Sequence, residues 1–196
     1  MPFQKPPKFL PHSPLRLSLP SCCLSPLLRC LSLLLSCLLP FLGCLSLLSG
    51  CERGDHPGNI GQPAPQFTIT DGVQSADLAK LRGKTVVLNL WATWCAPCIE
   101  ELPSLLQMQR ENPNIAVVAI SLDQDDTTYR DFLTRHHVDL VTIRDESGRI
   151  NTLYGTAQIP ETYVIDRNGI LRRKFVSAQN WTSPEITDYL KKLSAS

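Results

Sequence analysis

The chain has 196 residues, with 19 Lys and Arg against 18 Asp and Glu, a formal net charge of +1. That length suits one domain with an appendage. The charge is silent on nucleic acid, but no basic face with interleaved aromatics appears, so no nucleic-acid partner is expected. The balance hides an asymmetry: residues 1–51 hold Lys5, Lys8, Arg16 and Arg29 and no acidic residue, and the remaining 15 basic and 18 acidic residues leave 52–196 at −3.

Cysteine usage is equally lopsided. Cys22, Cys23, Cys30, Cys37, Cys44 and Cys51 lie in the appendage, and only Cys95 and Cys98 lie beyond it. The sevenfold spacing from Cys23 to Cys51 hints at a heptad seam. Pro26 and Pro40 would interrupt such a helix, so a repetitive Leu/Ser-rich run is the reading adopted, not a disulfide framework. Residues 31–50 carry no charge and follow Arg29, as in the apolar core of a secretory signal or membrane anchor. Leu48-Ser49-Gly50-Cys51 resembles a bacterial lipoprotein cleavage box, which implies lipidation of Cys51; Phe41-Leu42-Gly43-Cys44 is a poorer copy. An uncleaved transmembrane helix is the alternative. Either anchor leaves the positive flank inside and the domain outside the cytosol. The Pro-rich residues 1–20 are unlike an ordinary signal start, and no functional reading rests on them.

Residues 52–65, rich in Gly, Pro and polar side chains, read as a tether to a domain spanning 66–196. Gln66–Thr70 reads as a short strand, and Ser75–Leu81 as a helical turn ending at Gly83. Thr85–Trp91 is almost continuously apolar, as suits a parallel strand buried on both faces. Cys98, Ile99, Leu102, Leu105 and Leu106 then recur at helical spacing. The spacing predicts a helix to about Arg110, kinked where Pro103 removes a backbone donor. Cys95 falls at its mouth, with Pro97 in the first turn.

Further on, Ile115–Leu122 and Leu140–Ile143 read as strands, and Tyr129, Phe132, Leu133 and His136 trace one helical face between them. Gly148–Tyr154 reads as a short helix. Thr162–Ile165 and Ile170–Val176 flank Asn168-Gly169, a strong signal for an antiparallel hairpin. Arg172, Arg173 and Lys174 are expected to form the solvated part of an edge. Thr182–Glu185 looks like a capped start to a last helix that buries Ile186, Tyr189, Leu190 and Leu193.

The chemistry is expected at Cys95 and Cys98. A helix N-terminus carries partial positive charge and unpaired N–H groups, which favour thiolate over thiol. Cysteines in such Cys-X-X-Cys motifs have pKa values lowered to roughly 3.5–7.5. Cys95, the more exposed, is assigned as attacker and Cys98 as the resolving thiol. A zinc site would need a second ligand pair, but no cysteine follows Cys98 and His136-His137 are adjacent, so no metal is expected. An inert structural disulfide would not need this strand-to-helix setting.

The run Asn89-Leu-Trp-Ala-Thr-Trp94-Cys95-Ala-Pro-Cys98 resembles the thioredoxin superfamily. The continuation Ile99-Glu-Glu101-Leu-Pro103 resembles its membrane-tethered branch, typified by TlpA, ResA and the cytochrome c maturation reductants. The likeness covers roughly Ile60 to Leu193. It implies an α/β thioredoxin fold with an N-terminal strand extension and a central helix–strand insertion.

It also implies that Pro160, in Gln158-Ile159-Pro160-Glu161-Thr162, is cis and sits beside the cysteine pair; without the resemblance it reads equally well as a strand-start proline. A cis X–Pro bond costs only about 0.5–1 kcal/mol. Ile159 would then offer backbone groups to an extended substrate, with Trp94 shaping the cleft. Asn89 stands where familiar thioredoxins carry a buried aspartate. Glu101, on the helical side of Cys98, is the natural replacement, its pKa raised by burial so that it exchanges a proton with Cys98. The alternative for Glu101 is a surface residue.

The expected function is an extracytoplasmic, membrane-anchored thiol–disulfide oxidoreductase that reduces protein disulfides with no cofactor. A transmembrane thiol donor would recharge it, and cytochrome c apoprotein is among the candidate substrates. A peroxiredoxin-like thiol peroxidase and a non-catalytic binding or chaperone module are the alternatives.

Overall fold

In Thr85–Trp91 (β3) every residue is buried, and successive side chains point to opposite faces of a strand. Val86, Leu88 and Leu90 enter one apolar cluster, and Val87 and Trp91 the other. That parity sends Asn89, between Leu88 and Leu90, to the face shared by Val87 and Trp91. In a computed structural model, which describes residues 59–195, β3 is the centre of a five-stranded sheet. The assignments made for residues 1–51, Cys51 among them, and for 52–58 lie outside the described residues.

The strands are Thr68–Thr70 (β1), Ser75–Asp77 (β2), β3, Ile115–Ser121 (β4), Val141–Arg144 (β5), Glu161–Ile165 (β6) and Leu171–Val176 (β7). The helices are Ala96–Glu111 (α1), Asp126–Arg135 (α2), Arg149–Tyr154 (α3) and Pro184–Ala195 (α4). The sheet order is β5-β4-β3-β6-β7. β3 runs parallel to β4 and antiparallel to β6, so its parallel character holds on one side only. Helices α1, α2 and α4 bury Leu105, Met108, Phe132, Ile186 and Leu190 on the Trp91 face. The opposite face is covered by α3 and by the small β1–β2 sheet, through Phe67, Ile69, Ile150 and Tyr154. This is the expected α/β architecture, with β1–β2 as its N-terminal extension and α2–β5 as the insertion.

Three local expectations change. Ser75–Asp77 is a strand, not part of a helical turn, paired antiparallel with β1. The Asp71 carboxylate closes the hairpin by accepting from Val73 and Gln74 N–H at 3.0 and 2.8 Å, and Gly72 takes φ +84°. Only Leu78–Leu81 is helical, as one 3₁₀ turn capped by Asp77. Next, the segment read as tether through Pro65 is held on the domain from Gly61 onward. Gly61 N donates to Leu171 O at 2.8 Å, Leu171 N to Gln62 O at 2.9 Å and Ala64 N to Gly169 O at 2.9 Å. Ala64 is buried. These bonds satisfy part of the otherwise open β7 edge.

Lys174, expected in solvent, is instead largely buried. Its ammonium lies 2.8 Å from Glu161 Oε1, with both side chains largely buried. Tyr163 O–H donates to Glu161 Oε2 at 2.7 Å. Lys174 stands opposite Tyr163 in the β6–β7 ladder, whereas the register shift between Val164 and Ile165 leaves Arg172 unpaired at a bulge and exposed. Removing one partner of such a pair leaves an uncompensated buried charge, at about 3–5 kcal/mol. Lys174→Met is therefore expected to lower the guanidinium unfolding free energy by about that amount. The double variant Lys174→Met/Glu161→Gln should recover much of it.

The Asn168-Gly169 hairpin forms as read. Asp166 Oδ1 accepts from Asn168 and Ile170 N–H, both at 2.9 Å, and Gly169 supplies φ +72°.

Candidate active site

β3 ends at Trp91, whose carbonyl still accepts from Leu122 N at 2.9 Å. The chain then turns, Cys95 N donating to Ala92 O at 3.2 Å, and α1 begins at Ala96 with Cys95 as its N-cap. Pro97 occupies the first turn, where a missing N–H costs nothing. Pro103 lies inside α1, and the helix continues through it to Glu111. Cys95 and Cys98 are joined as a disulfide, with Cα atoms 5.3 Å apart. The Cys98 N–H donates to Cys95 Sγ at 3.3 Å. The helix start thus aims a donor at the sulfur, the arrangement that favours thiolate once the bond is reduced.

The expected contrast between an exposed and an inner cysteine is small in this oxidised state. Cys95 is 6% and Cys98 2% exposed. The bond draws both side chains into the cluster formed by Trp91, Ala92 and Leu102. What stands out in solvent is Trp94, 68% exposed. Trp91 is buried and packs on Phe132 and Tyr129, with ring centroids 5.5 and 6.4 Å away.

Glu101 is 4% exposed, so it is not a surface glutamate. Its Oε1 accepts from Asn89 Nδ2 at 2.8 Å. Its Oε2 accepts from Gln179 N at 3.0 Å and Trp181 Nε1 at 3.2 Å. Asn89 Nδ2 also donates to Thr162 Oγ1 at 2.9 Å. Burial raises the Glu101 pKa above its ordinary value, against the opposing pull of the bonds from Gln179, Asn89 and Trp181. Asn89, Trp91, Cys98 and Glu101 line one small, narrow cavity of about 10 Å³, the lower limit for a single water. The buried Trp91 indole N–H has no acceptor among the described residues. Cys98 and Glu101 therefore share a small internal space.

The Ile159–Pro160 bond is cis, as the resemblance implied. Glu161 pairs with Leu90 in the β3–β6 ladder, which sets Pro160 level with the end of β3 that leads to Cys95. Ile159 packs against the cluster holding both cysteines, and Pro160 O accepts from Ser177 N at 3.0 Å. His136 stacks on Phe132 with ring centroids 4.1 Å apart. Among the described residues, no group of three or more His, Cys, Asp or Glu is placed to hold a metal ion.

Sequence reasoning missed Gln179, Trp181 and Thr162 as partners of the Glu101–Asn89 pair, and the carboxylate of Asp123 below the loop before Cys95. Trp181, fully buried, had a faint signal: a lone tryptophan just ahead of a capped helix.

Residues 60–174, more than half of the chain, match the model of the AhpC/TSA family. The chain is 29% identical over 138 residues to the thiol-disulfide oxidoreductase ResA of Bacillus thuringiensis subsp. konkukian, covering 69% of this chain and 79% of that one. It is 33% identical over 120 residues to the thiol:disulfide interchange protein DsbE of Pseudomonas fluorescens biotype C, covering 60% and 66%. Among solved structures, a Chlorobium tepidum protein described as a DsbE-type thiol:disulfide interchange protein matches with a TM-score of 0.60 at 29% identity, over 68% of this chain and 94% of that one. A secreted Mycobacterium tuberculosis disulfide oxidoreductase matches with a TM-score of 0.54 at 27% identity, over 66% and 95%. With Cys95 capping α1 and Cys98 one turn inside it, and with these matches, the chain belongs to the thioredoxin-like AhpC/TSA family and is a thiol–disulfide oxidoreductase of the TlpA/ResA kind.

Proposed function

We propose that the protein is an extracytoplasmic, membrane-anchored reductant of protein disulfides. The observation that carries its chemistry is the small cavity shared by Cys98 and Glu101 behind a helix-capping Cys95. In the reduced enzyme the Cys95 thiolate attacks one sulfur of a substrate disulfide. A mixed disulfide forms and the first substrate sulfur leaves as thiolate. Glu101 accepts the Cys98 proton across the cavity, and the Cys98 thiolate then attacks Cys95 Sγ. That releases the second substrate thiolate and regenerates the Cys95–Cys98 disulfide, two electrons having passed to the substrate. An extended substrate would lie over Trp94 and along the backbone of Ile159 and cis-Pro160.

The apolar run 31–50 after Arg29 and the box ending at Cys51 support anchoring and, with it, a domain outside the cytosol. Recharging then calls for a thiol donor that crosses the membrane. Cytochrome c apoprotein is one fitting substrate, since Pro160-Glu161-Thr162 resembles the same motif of the maturation reductants.

The direction of transfer is tested by equilibrating a fragment beginning at Glu52 with thiol–disulfide buffers. A reductant is expected to sit at about −250 mV or below, near thioredoxin. A potential near about −120 mV, that of a strong oxidant, would reverse the assignment.

A further inference from the structure

The site described above uses one buried acid, Glu101; a second, Asp123, lies beneath the redox loop and takes no part in those steps. Asp123 is 2% exposed and follows β4 by two residues. Its Oδ2 accepts from Thr93 N at 3.0 Å and from Ser121 Oγ at 2.6 Å, and its Oδ1 accepts from Thr93 Oγ1 at 2.6 Å. Ser121 Oγ in turn accepts from Asp123 N at 3.1 Å, so the carboxylate is locked to its own strand before it reaches the loop.

The loop needs such a hold. After Trp91 the chain leaves the β3–β4 ladder, and Thr93 lies between Ala92, whose carbonyl accepts from Cys95 N, and the exposed Trp94. Both hydrogen-bond donors of Thr93 point into Asp123. A buried carboxylate is expensive unless donors surround it, and here two of the three donors belong to a residue two positions before Cys95. We propose that Asp123 is a positioning residue of the redox centre. It clamps Thr93 so that Cys95 stays in the N-cap geometry in which the Cys98 N–H meets its sulfur. The proposal rests on Cys95 being the attacking thiol. It assigns Asp123 no contact with substrate and no proton transfer.

The test is the alkylation rate of the reduced full-length chain by iodoacetamide as a function of pH. It is followed by mass spectrometry on the peptide bearing Cys95, so that cysteines of residues 1–51 do not contribute. Asp123→Ala is expected to alkylate about tenfold more slowly at neutral pH, the loss of a strong hydrogen bond, with the midpoint of the rate–pH curve displaced upward. Asp123→Asn keeps a carbonyl oxygen for Thr93 N–H and should restore most of the rate. Thr93→Val, a half-exposed position that retains its N–H, should fall between them. A purely structural role would lower the unfolding midpoint and leave the alkylation midpoint where it was.

Wild-type rate and midpoint in Asp123→Ala overturn the proposal. If that variant does not fold, the same result in Thr93→Val overturns it. Preferential alkylation of Cys98 in the wild-type chain would instead refute the assignment of the attacker, and the proposal with it. The two failures appear in different arms and cannot be confused.

Discussion

Cys95→Ala is expected to reduce disulfide exchange to the uncatalysed background, whereas Cys98→Ala should still complete one attack and then stop. The difference follows from where the two sulfurs face. Cys95 caps α1 beside the exposed Trp94, and Cys98 lines the internal cavity with Glu101 and Leu105. A substrate approaching from solvent meets Cys95, and the resulting mixed disulfide is cleaved only if a second thiolate lies within reach. Without Cys98 that complex persists. Non-reducing electrophoresis with a disulfide-bonded protein substrate should show a covalent adduct that dithiothreitol releases. An adduct on Cys95→Ala, and none on Cys98→Ala, would exchange the two roles. Hydrogen peroxide turnover by the wild-type chain at rates comparable to disulfide exchange would favour a peroxidase.

Glu101→Gln should leave the first attack near wild-type speed and slow resolution by about a hundredfold, the lower range for loss of a positioned acid–base group. The fold should survive the change. The Gln oxygen can accept from Gln179 N–H and Trp181 Nε1–H, while its amide donates to an Asn89 side chain turned over to present its oxygen. Rapid-quench separation of mixed-disulfide formation from decay gives the two rates. Wild-type decay with unchanged pH dependence would remove Glu101 from the mechanism.

The stability of the two proteins should also diverge with pH in a defined sense. Burial raises the folded-state pKa of Glu101 above 4.5. The folded protein therefore holds its proton to higher pH than the unfolded chain does. The stability tied to that proton is full below about 4.5 and is lost as pH rises through the raised value. Relative to Glu101→Gln, the wild-type protein should lose unfolding free energy across that window. A difference that grows with pH would mean the bonds from Gln179, Asn89 and Trp181 outweigh burial.

Much of this site was written in one local stretch. Thr85–Trp91 is apolar at both parities, Cys95 takes an N-cap position, Pro97 fits a first turn, and Leu102 and Leu105 keep helical period, so strand, loop and helix follow from neighbours in the chain. The Asn168-Gly169 hairpin is equally local, since the turn needs a positive φ that glycine supplies. Cis-Pro160 was legible only through resemblance, because a strand-start proline is the same letter in the sequence. Ser75–Asp77 misled because three residues are too few to distinguish a strand period from a helical one.

Pattern determines which residues leave water; it does not determine whom they meet. The sequence by itself placed the redox pair at a helix start, and resemblance pointed to Glu101, on the helical side of Cys98, as a buried acid, with a surface residue as the alternative. Only the tertiary structure brought Gln179 and Trp181, 78 and 80 residues further along the chain, onto the Glu101 carboxylate. It likewise paired Lys174 with Glu161 and set Asp123 beneath Thr93. A buried charge is tolerated only where the fold delivers donors to it, and those donors come from strands and loops whose adjacency is a property of the sheet, not of any local run of residues.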